Sequence, residues 1–439
     1  MSSSQAASRG PVALIIATTP WPLSSRLAVR MVAHGCEVAA LCPRGHVLGN
    51  VAGVGPLYLY RSRNSVATLE RALATAAPDI VIPCDDRAVW QLHDLHAHRP
   101  ELRGLIETSL GRATAFPIVR SRSRFMEIAR EAGVRVPESQ ALESPADVSA
   151  WFRAYPGTAV VKVDGTWGGS GVQIVHAEEQ ARLALERFST PQRRGSSWKR
   201  WLINQDPLAF WEGWSGPNRH FSIQRFIPGR PANCMLAAWQ GRLLGMVSVE
   251  VLCTQGKTGA STIVRLIRSE AMVRDAERLT ATLGLSGFHG LDYIVEEGTG
   301  TPFLIELNAR CTQLGHLILR DQGDLAGLLC AQLGARPRAA VQSELPIDRD
   351  TIAFFPQALA WNPDSPFMQQ SYHDIPWTQP ALVRELLRDP WAERQWLARV
   401  YHWLRGKERS PVPNVVNFLR LAAKSGFASS PVGELPDKG

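Results

Sequence analysis

The feature that most constrains this chain is a segment in which apolar and polar residues alternate, LIELNAR at residues 304–310. Successive side chains of a strand point to opposite faces, so Glu306 and Asn308 project together. Asp292 lies on a preceding strand-like run and can reach the same face across a hairpin. Two carboxylates and an amide oxygen are hard ligands that suit one or two Mg²⁺ ions. On these residues alone, the polar outer face of an antiparallel hairpin explains the pattern equally well.

A second segment, KVDGTWGGSG at residues 162–171, places four glycines and two hydroxyls between two predicted strands. Backbone N–H groups of such a loop approach phosphate oxygens closely, and Lys162 at the preceding strand end adds a point charge. The loop is not a Walker A motif, because no Gly-Lys-Ser/Thr sequence follows it. A plain glycine hairpin is the alternative explanation.

Composition limits the class of protein. The 439 residues are enough for two to four packed units. No apolar run approaches the roughly 18 residues that span a bilayer, so we expect no stable membrane insertion. The net charge of +8 is spread along the chain, which favours a solvated surface with anion-binding arginines over nucleic-acid binding. Seven cysteines without a C-x-x-C pair or a zinc spacing indicate a reducing compartment, and we expect a cytoplasmic protein.

The first part of the chain alternates between strand-like and helix-like segments. Buried strand-like runs lie at 12–18, 37–41 and 80–82, with helical patterns between them. This alternation predicts a parallel sheet with βαβ crossovers, that is, a small doubly wound α/β unit. No G-x-G-x-x-G sequence follows the first strand, so dinucleotide binding is poorly supported.

The pattern then changes to mixed α+β. It predicts an amphipathic helix at 121–132, antiparallel strands between 221 and 251, and a helix at 270–283 that Gly284 ends. One of these strand-like runs is FSIQRFIPG at 221–229, an apolar edge strand that can present backbone groups to an adenine ring.

The order and spacing of these pieces resemble the ATP-grasp superfamily, which includes D-alanine–D-alanine ligase, biotin carboxylase and carbamoyl phosphate synthetase. In that family a basic residue starts a helix eleven positions before a segment similar to Gly133-Val-Arg-Val-Pro137, and Arg122 stands at that place. Most members carry lysine there, and arginine keeps the charge but not the shape. The glycine loop, the 221–229 strand and Glu306-x-Asn308-x-Arg310 follow in the family order.

The resemblance covers roughly residues 10–335. It implies a Rossmann-like α/β pre-ATP-grasp domain, a two-lobed α+β ATP-grasp fold that clasps ATP, and a C-terminal extension. The implied bounds are a disordered tail at 1–10, the first domain at 11–115, lobe A at 116–220 with a Trp/Arg-rich insertion at 189–220, lobe B with the metal site at 221–338, and a partly helical extension at 339–439.

The resemblance also implies a site for ATP with Mg²⁺ or Mn²⁺. Asp292, Glu306 and Asn308 would hold the metal. The ribose contact of the family, often acidic, falls near Pro231, which cannot serve. The implied nucleotide-binding positions are Arg122, Lys162, Gly165, Gly168, Gly169, Ser170, Gly171, Gln224, Arg225, Phe226 and Ile227.

By the same resemblance, Arg310 faces the γ-phosphate or an acyl phosphate and is the first choice to stabilise an oxyanion. Lys162 is a second catalytic charge, and Arg265 and Arg268 are the next candidates. His289 and His316 can contact substrate, but a structural role is favoured for each.

The implied activity is that of a carboxylate–amine ligase. Such an enzyme phosphorylates a carboxylate from ATP and lets an amine displace the phosphate, so the implied partners are a small-molecule carboxylate and a small-molecule amine. Two alternatives stay open: a non-catalytic ATP-binding regulatory or scaffold module, and a kinase-like phosphotransferase. Family members are often homodimers, and the resemblance leaves that assembly open.

Two regions have no assigned chemistry. The stretch 189–220 mixes tryptophans with basic residues and suits either a substrate-gating insertion or a surface subdomain. The basic aromatic helix at about 390–405 suits packing onto the ATP-grasp lobe better than binding to a membrane.

Overall fold

The computed structural model describes residues 10–164, 171–189, 220–256, 259–319, 323–337, 347–388, 413 and 415–424. Four predictions fall wholly or mostly on other positions and lie outside the described residues. They are the tail at 1–10, most of the glycine loop, nearly all of the Trp/Arg-rich stretch and the basic helix at 390–405.

The N-terminal unit is built on a parallel sheet of four strands in the order β3-β2-β1-β4. The apolar strand β1 is buried on both faces: Ala13 and Ile15 pack into one core, and Leu14 and Ile16 into another. Its elements are β1 Val12–Ile16, α1 Ser24–Ala33, β2 Glu37–Cys42, β3 Val54–Leu59, α2 Ser65–Ala76, β4 Ile80–Pro83, α3 Asp86–His98, α4 Arg103–Leu110 and α5 Phe116–Arg120. The predicted doubly wound unit is confirmed.

The second unit is an antiparallel sheet in the order β5-β8-β6-β7, packed against two helices. Trp151 is the largest side chain in its core, with an exposed fraction of 1%. Its elements are α6 Arg122–Glu131, β5 Ser139–Leu142, α7 Pro145–Ala154, β6 Ala159–Val163, β7 Val172–Val175, α8 Glu178–Ser189 and β8 Phe221–Arg225. Since β8 pairs in this sheet, lobe A extends through β8, and the expected start of lobe B at 221 is too early.

The third unit is a sheet of seven strands in the order β13-β12-β9-β10-β11-β16-β17. Met235 and Ala237 on one face pack against the N-terminal unit, and Cys234 and Leu236 on the other face pack against α6 and a helix at 270–283. Its first elements are β9 Gly229–Trp239, β10 Arg242–Thr254, β11 Ser261–Leu266, α9 Glu270–Leu283, β12 Gly287–Glu296, β13 Pro302–Asn308, the short pair β14 Ile318–Leu319 and β15 Gly323–Asp324, and α10 Leu325–Gln332.

The C-terminal segment supplies the two remaining strands. β16 (Thr351–Phe354) pairs antiparallel with β11, and β17 (Tyr372–Asp374) pairs parallel with β16. The helices α11 Gln357–Trp361, α12 Pro380–Leu386 and α13 Val415–Lys424 complete the described segment. The expected extension at 339–439 is not separate from lobe B, because β16 and β17 pair in the lobe B sheet and Ile352, Ala353 and Phe354 are buried in its core.

Among the residues that the structure describes, none of the helices combines the length and the apolarity that crossing a bilayer requires.

Candidate active site

Three strands bring the predicted metal ligands together at one place. In the antiparallel pair β12–β13, Asp292 lies opposite Glu306, and Gly290 lies opposite Asn308. Asn308 donates from Nδ2 to Oδ2 of Asp292 at 3.0 Å. On the other side β9 places Asn233 opposite Asp292, and its Nδ2 donates to Oδ1 at 2.6 Å. Asp292 is therefore fixed by one amide on each side.

The two carboxylates repel each other across the hairpin. Burial, and then the charge of Glu306, raise the pKa of Asp292 to about 6. A bound divalent cation would offset both effects, so this donor set fits Mg²⁺. Within the described ranges, no group of three or more His, Cys, Asp or Glu side chains is arranged to hold a metal. The set is instead two carboxylates and one amide.

Two cations from lobe A lie against these carboxylates. Lys162, near the end of β6, has an exposed fraction of 7% and donates from Nζ to the Ile305 carbonyl oxygen at 3.1 Å. Burial lowers the pKa of its amine to about 8, opposed by the charge of Glu306. Arg122, the first residue of α6, donates to Oε1 of Glu306 from Nη2 at 2.6 Å and from Nε at 3.1 Å. Its guanidinium also donates to the Val163 carbonyl oxygen, so it connects both lobes.

The N-terminal unit contributes a carboxylate that sequence reasoning missed. Arg310, two residues after β13, donates from Nε to Oδ1 of Asp86 at 2.9 Å and from Nη2 to Oδ1 of Asn308 at 3.3 Å. Asp86 begins α3, directly after Asp85 and three residues after the end of β4. The available signal was an Asp-Asp pair at the carboxyl end of a buried parallel strand, the edge where open α/β sheets bind ligands.

The sequence and the structure of this chain are similar to those of known proteins. A family model for the ATP-grasp domain matches residues 208–313, which include the β12–β13 hairpin and Arg310. The chain has the ATP-grasp fold. The L-amino acid ligase from Bacillus licheniformis is similar in structure, with a TM-score of 0.53, 16% sequence identity, and coverage of 78% of this chain and 80% of the ligase.

Two further solved structures share the ATP-grasp fold. One is the biotin carboxylase domain dimer of Hydrogenobacter thermophilus 2-oxoglutarate carboxylase in complex with MgADP and bicarbonate (TM-score 0.52, 15% identity, 75% of this chain and 71% of that chain). The other is N5-carboxyaminoimidazole synthetase from Staphylococcus aureus (TM-score 0.51, 12% identity, 75% and 78%). No curated protein matches the chain by sequence.

The other arginines proposed for the ATP-grasp site lie elsewhere. Asp292, Asn233 and Val249 lie side by side on neighbouring strands, so their side chains share one face of the sheet. Arg265 lies opposite Glu250, the residue after Val249, so it points to the other face. There its Nη1 lies 3.7 Å from Oε2 of Glu250. Arg268 lines a cleft on that same face with Met246 and Val273. The structure therefore does not bring Arg265 or Arg268 to the carboxylate pair.

The segment assigned to adenine joins the two ATP-grasp lobes. Arg225 and Phe226 donate their backbone N–H groups to the carbonyl oxygens of Glu138 and Thr158. Gln224 is buried with its Nε2 near Sδ of Met126, and Ile227 is buried as well.

In the glycine loop, Gly171 is buried, and its carbonyl oxygen accepts the Val163 N–H at 2.9 Å. The remaining nucleotide-binding candidates of this loop lie outside the described residues: Gly165, Gly168, Gly169 and Ser170.

The histidines near the site have structural partners. His289 bonds through Nε2 to the Ser286 carbonyl oxygen at 2.8 Å, and burial lowers its pKa to about 4. His316 bonds to Oδ2 of Asp374 at 2.8 Å, with both side chains 2% exposed. Cys311, next to Arg310, has a pKa raised by burial to about 12, which makes it a poor nucleophile at neutral pH.

Proposed function

We propose that this protein is an ATP-dependent ligase that activates a carboxylate as an acyl phosphate and joins it to an amine. The observation that carries the proposal is the meeting of Lys162 and Arg122 from lobe A with Asp292 and Glu306 from lobe B. A metal–polyphosphate ligand can enter this site by replacing the ion pair between Arg122 and Glu306 and the hydrogen bond from Lys162 to the Ile305 carbonyl oxygen with equivalent contacts.

Asp292, Glu306 and Asn308 would hold Mg²⁺ in this account. When bound, the ion neutralises charge on the phosphates of ATP. Glu306 would exchange its contact with Arg122 for the metal, which frees the Arg122 guanidinium for phosphate oxygens. Lys162 would contact the same phosphates as a point charge, since its amine lies beside the Ile305 carbonyl oxygen at the same hairpin.

The chemical steps need positioning more than covalent help from the chain. A carboxylate oxygen of the substrate attacks the γ-phosphorus, and the bond from that phosphorus to the bridging oxygen breaks to release ADP. The amine then attacks the acyl carbon, loses a proton and expels inorganic phosphate. Arg310 would stabilise the negative charge of the transferred phosphoryl group and of the tetrahedral intermediate.

The similar structures support the nucleotide and the reaction class. One of them is named an amino acid ligase, another a synthetase, and a third holds MgADP. These names describe those proteins. For this chain they support a search among carboxylic acids and amines. One of these structures is named a dimer, and a homodimer is also part of the proposal.

Phosphate release from MgATP tests the proposal directly. Pooled carboxylic acids are assayed with and without pooled amines, using the wild type, Glu306→Ala and Glu297→Ala. Glu297 is an exposed control on the turn of the same hairpin. We expect phosphate release that needs one acid and one amine, is unchanged in Glu297→Ala and falls at least about 100-fold in Glu306→Ala.

Two results would favour one of the alternative functions over the ligase. ADP formation with a stable phosphorylated product and no need for amine indicates a kinase-like phosphotransferase. Tight Mg²⁺-dependent ATP binding without turnover in any pool favours a non-catalytic ATP-binding module.

A further inference from the structure

The contact between Asp86 and Arg310 joins two units that are distant in sequence. Asp86 belongs to the N-terminal unit, and Arg310 follows the strand that carries the metal ligands. We propose that Asp86 is a positioning residue that holds the Arg310 guanidinium towards the γ-phosphate of the bound nucleotide. The inference rests on the proposed function, because it assigns Asp86 a role in that same site.

Hydrogen bonds of Asp85 fix the start of α3, so that Asp86 can hold the Arg310 side chain in place. Oδ2 of Asp85 accepts the Thr18 N–H at 2.6 Å, and its Oδ1 accepts the Thr18 hydroxyl at 2.7 Å and the Ala88 N–H at 3.0 Å. Both oxygens of Asp85 are therefore used within the N-terminal unit. The next residue, Asp86, is presented from a capped helix start rather than from a free loop.

A second contact fixes the same two segments against each other. The Cys311 N–H donates to the Pro83 carbonyl oxygen at 3.2 Å, one residue after Arg310 and three before Asp86. The backbone that carries Arg310 is thus held to the end of β4. A charge-assisted hydrogen bond of 2.9 Å to Asp86 then sets the direction of the side chain.

The two bonds of Arg310 leave one end of its guanidinium for a ligand. Nε is used by Asp86 and Nη2 by Asn308, whereas Nη1 has no partner among the residues that the structure describes. The side chains of Arg310 and Asp86 are 20% and 29% exposed, so a ligand can reach the pair. Because Nη2 contacts Asn308, a proposed metal ligand, the guanidinium lies beside the proposed metal site.

Asp86 also competes with the metal carboxylates for this arginine. Arg310 is close enough to Asp292 for the aspartate charge to stabilise the guanidinium. Without Asp86, the carboxylates of Asp85 and Asp292 remain near the guanidinium. Since both oxygens of Asp85 already accept hydrogen bonds within the N-terminal unit, Arg310 would turn towards Asp292 at the metal site. Asp86 therefore keeps the arginine available for phosphate and keeps Asp292 available for the cation.

The test compares two nucleotides, so it does not need the substrates. Calorimetry gives Kd for MgADP and for the Mg²⁺ complex of the non-hydrolysable β,γ-imido analogue of ATP, and the ratio of the two measures recognition of the γ-phosphate. The variants are Asp86→Ala, Arg310→Ala and the double variant. Asp94→Ala is the control, since Asp94 lies on the same helix in an exposed pair with Arg120.

We expect Asp86→Ala to lower the preference for the triphosphate analogue about tenfold while leaving ADP affinity within about twofold. In the Arg310→Ala background, the same substitution should change the preference by less than about twofold, since Asp86 acts through Arg310. Asp94→Ala should match the wild type. Circular dichroism and the melting temperature establish that each variant is folded.

An unchanged preference in Asp86→Ala overturns the inference. An equal loss in both backgrounds overturns it as well, because Asp86 would then act independently of Arg310. If the wild type binds neither nucleotide with Mg²⁺, the proposed function fails first, and that result differs from the other two.

Discussion

At the scale of single residues, the site depends on charges held out of water. Lys162 is almost fully buried, and its amine is charged at neutral pH because the carboxylates of Glu306 and Asp292 offset the cost of burial. A phosphate beside this amine would favour the ammonium form further. Nucleotide binding and the protonation of Lys162 are therefore linked.

This linkage predicts a pH dependence of nucleotide affinity. The pKa of Lys162 without ligand is about 8, so the ammonium is present below that pH and is lost above it. We expect the affinity for MgADP to be constant near pH 7 and to fall above pH 8 by up to about tenfold per pH unit. Calorimetric titrations from pH 7 to 9.5 measure it. Lys162→Arg keeps its charge over this range and should remove the slope, whereas a slope of equal size in that variant would refute the assignment.

A second prediction separates the charge of Glu306 from its shape. Glu306→Gln keeps the size of the side chain but removes its ion pair with Arg122 at 2.6 Å. We expect the stimulation of ADP binding by Mg²⁺ to fall at least about tenfold, because one of the two carboxylate ligands is lost. Affinity measured in EDTA should stay equal or rise, since Arg122 is released for phosphate. A Mg²⁺ stimulation equal to that of the wild type would place the metal elsewhere.

At the scale of elements, α3 joins the site to a buried histidine. His93 stacks on Phe116 with ring centroids 4.1 Å apart. Burial, with smaller effects of Arg120, His96 and His289, lowers its pKa to about 3 from an ordinary 6.5. In acid the unfolded chain binds a proton here before the native protein does. The contribution of neutral His93 to the free energy of unfolding is therefore fully present above pH 6.5, and it is lost as the pH falls towards 3.

His93→Phe removes this titration and keeps the stacked ring. Between pH 7 and pH 5 we expect the wild type to lose about 2 kcal/mol of unfolding free energy through His93, and the variant to lose correspondingly less. Urea unfolding at both pH values measures the difference. His98→Gln on the exposed end of α3 is the control and should resemble the wild type. Equal losses in the wild type and in His93→Phe would contradict the account.

Elements with strong local signals were predictable from the sequence. The predicted helix at 270–283 is α9, whose start is capped by Ser269 and whose end is Gly284 in a left-handed conformation with φ of 61°. The β12–β13 hairpin was predictable because Glu306 and Asn308 alternate with apolar residues. Both elements carry their information within a few adjacent positions.

Elements that depend on distant partners were not predictable. β16 and β17 have four and three residues, which is too short for a clear local pattern. β16 pairs with the distant strand β11, and β17 joins the sheet only through β16. The direction of Arg265 depends on its register against Glu250, and a shift of one residue reverses the face. Asp86 meets Arg310 only through packing of the N-terminal unit on lobe B.

At the scale of the whole molecule, one buried cluster joins three regions. Asp374 on β17 accepts a hydrogen bond from Nη2 of Arg26 on α1 at 2.7 Å and bonds to Nε2 of His316 at 2.8 Å. All three side chains are 2% exposed. The N-terminal unit, the segment after β13 and the C-terminal segment therefore share a single carboxylate.

Removing the charge of this carboxylate should destabilise the protein strongly. Asp374→Asn leaves the Arg26 guanidinium buried beside a neutral group, and we expect a loss of about 3–5 kcal/mol of unfolding free energy. Equilibrium urea unfolding measures it. Glu127→Gln, in an exposed pair with Arg124, is the control and should have little effect. Equal small effects of both substitutions would show that the cluster does not join the three regions.

The acyl phosphate is the central claim, and transfer of oxygen-18 tests it most directly. An acid identified by phosphate release is labelled with oxygen-18 in its carboxylate and turned over with MgATP and its amine. Because a carboxylate oxygen attacks the γ-phosphorus and leaves with it, mass spectrometry should show one labelled oxygen in the released phosphate for every amide formed. Unlabelled phosphate accompanied by amide would contradict the acyl phosphate and the function proposed from it.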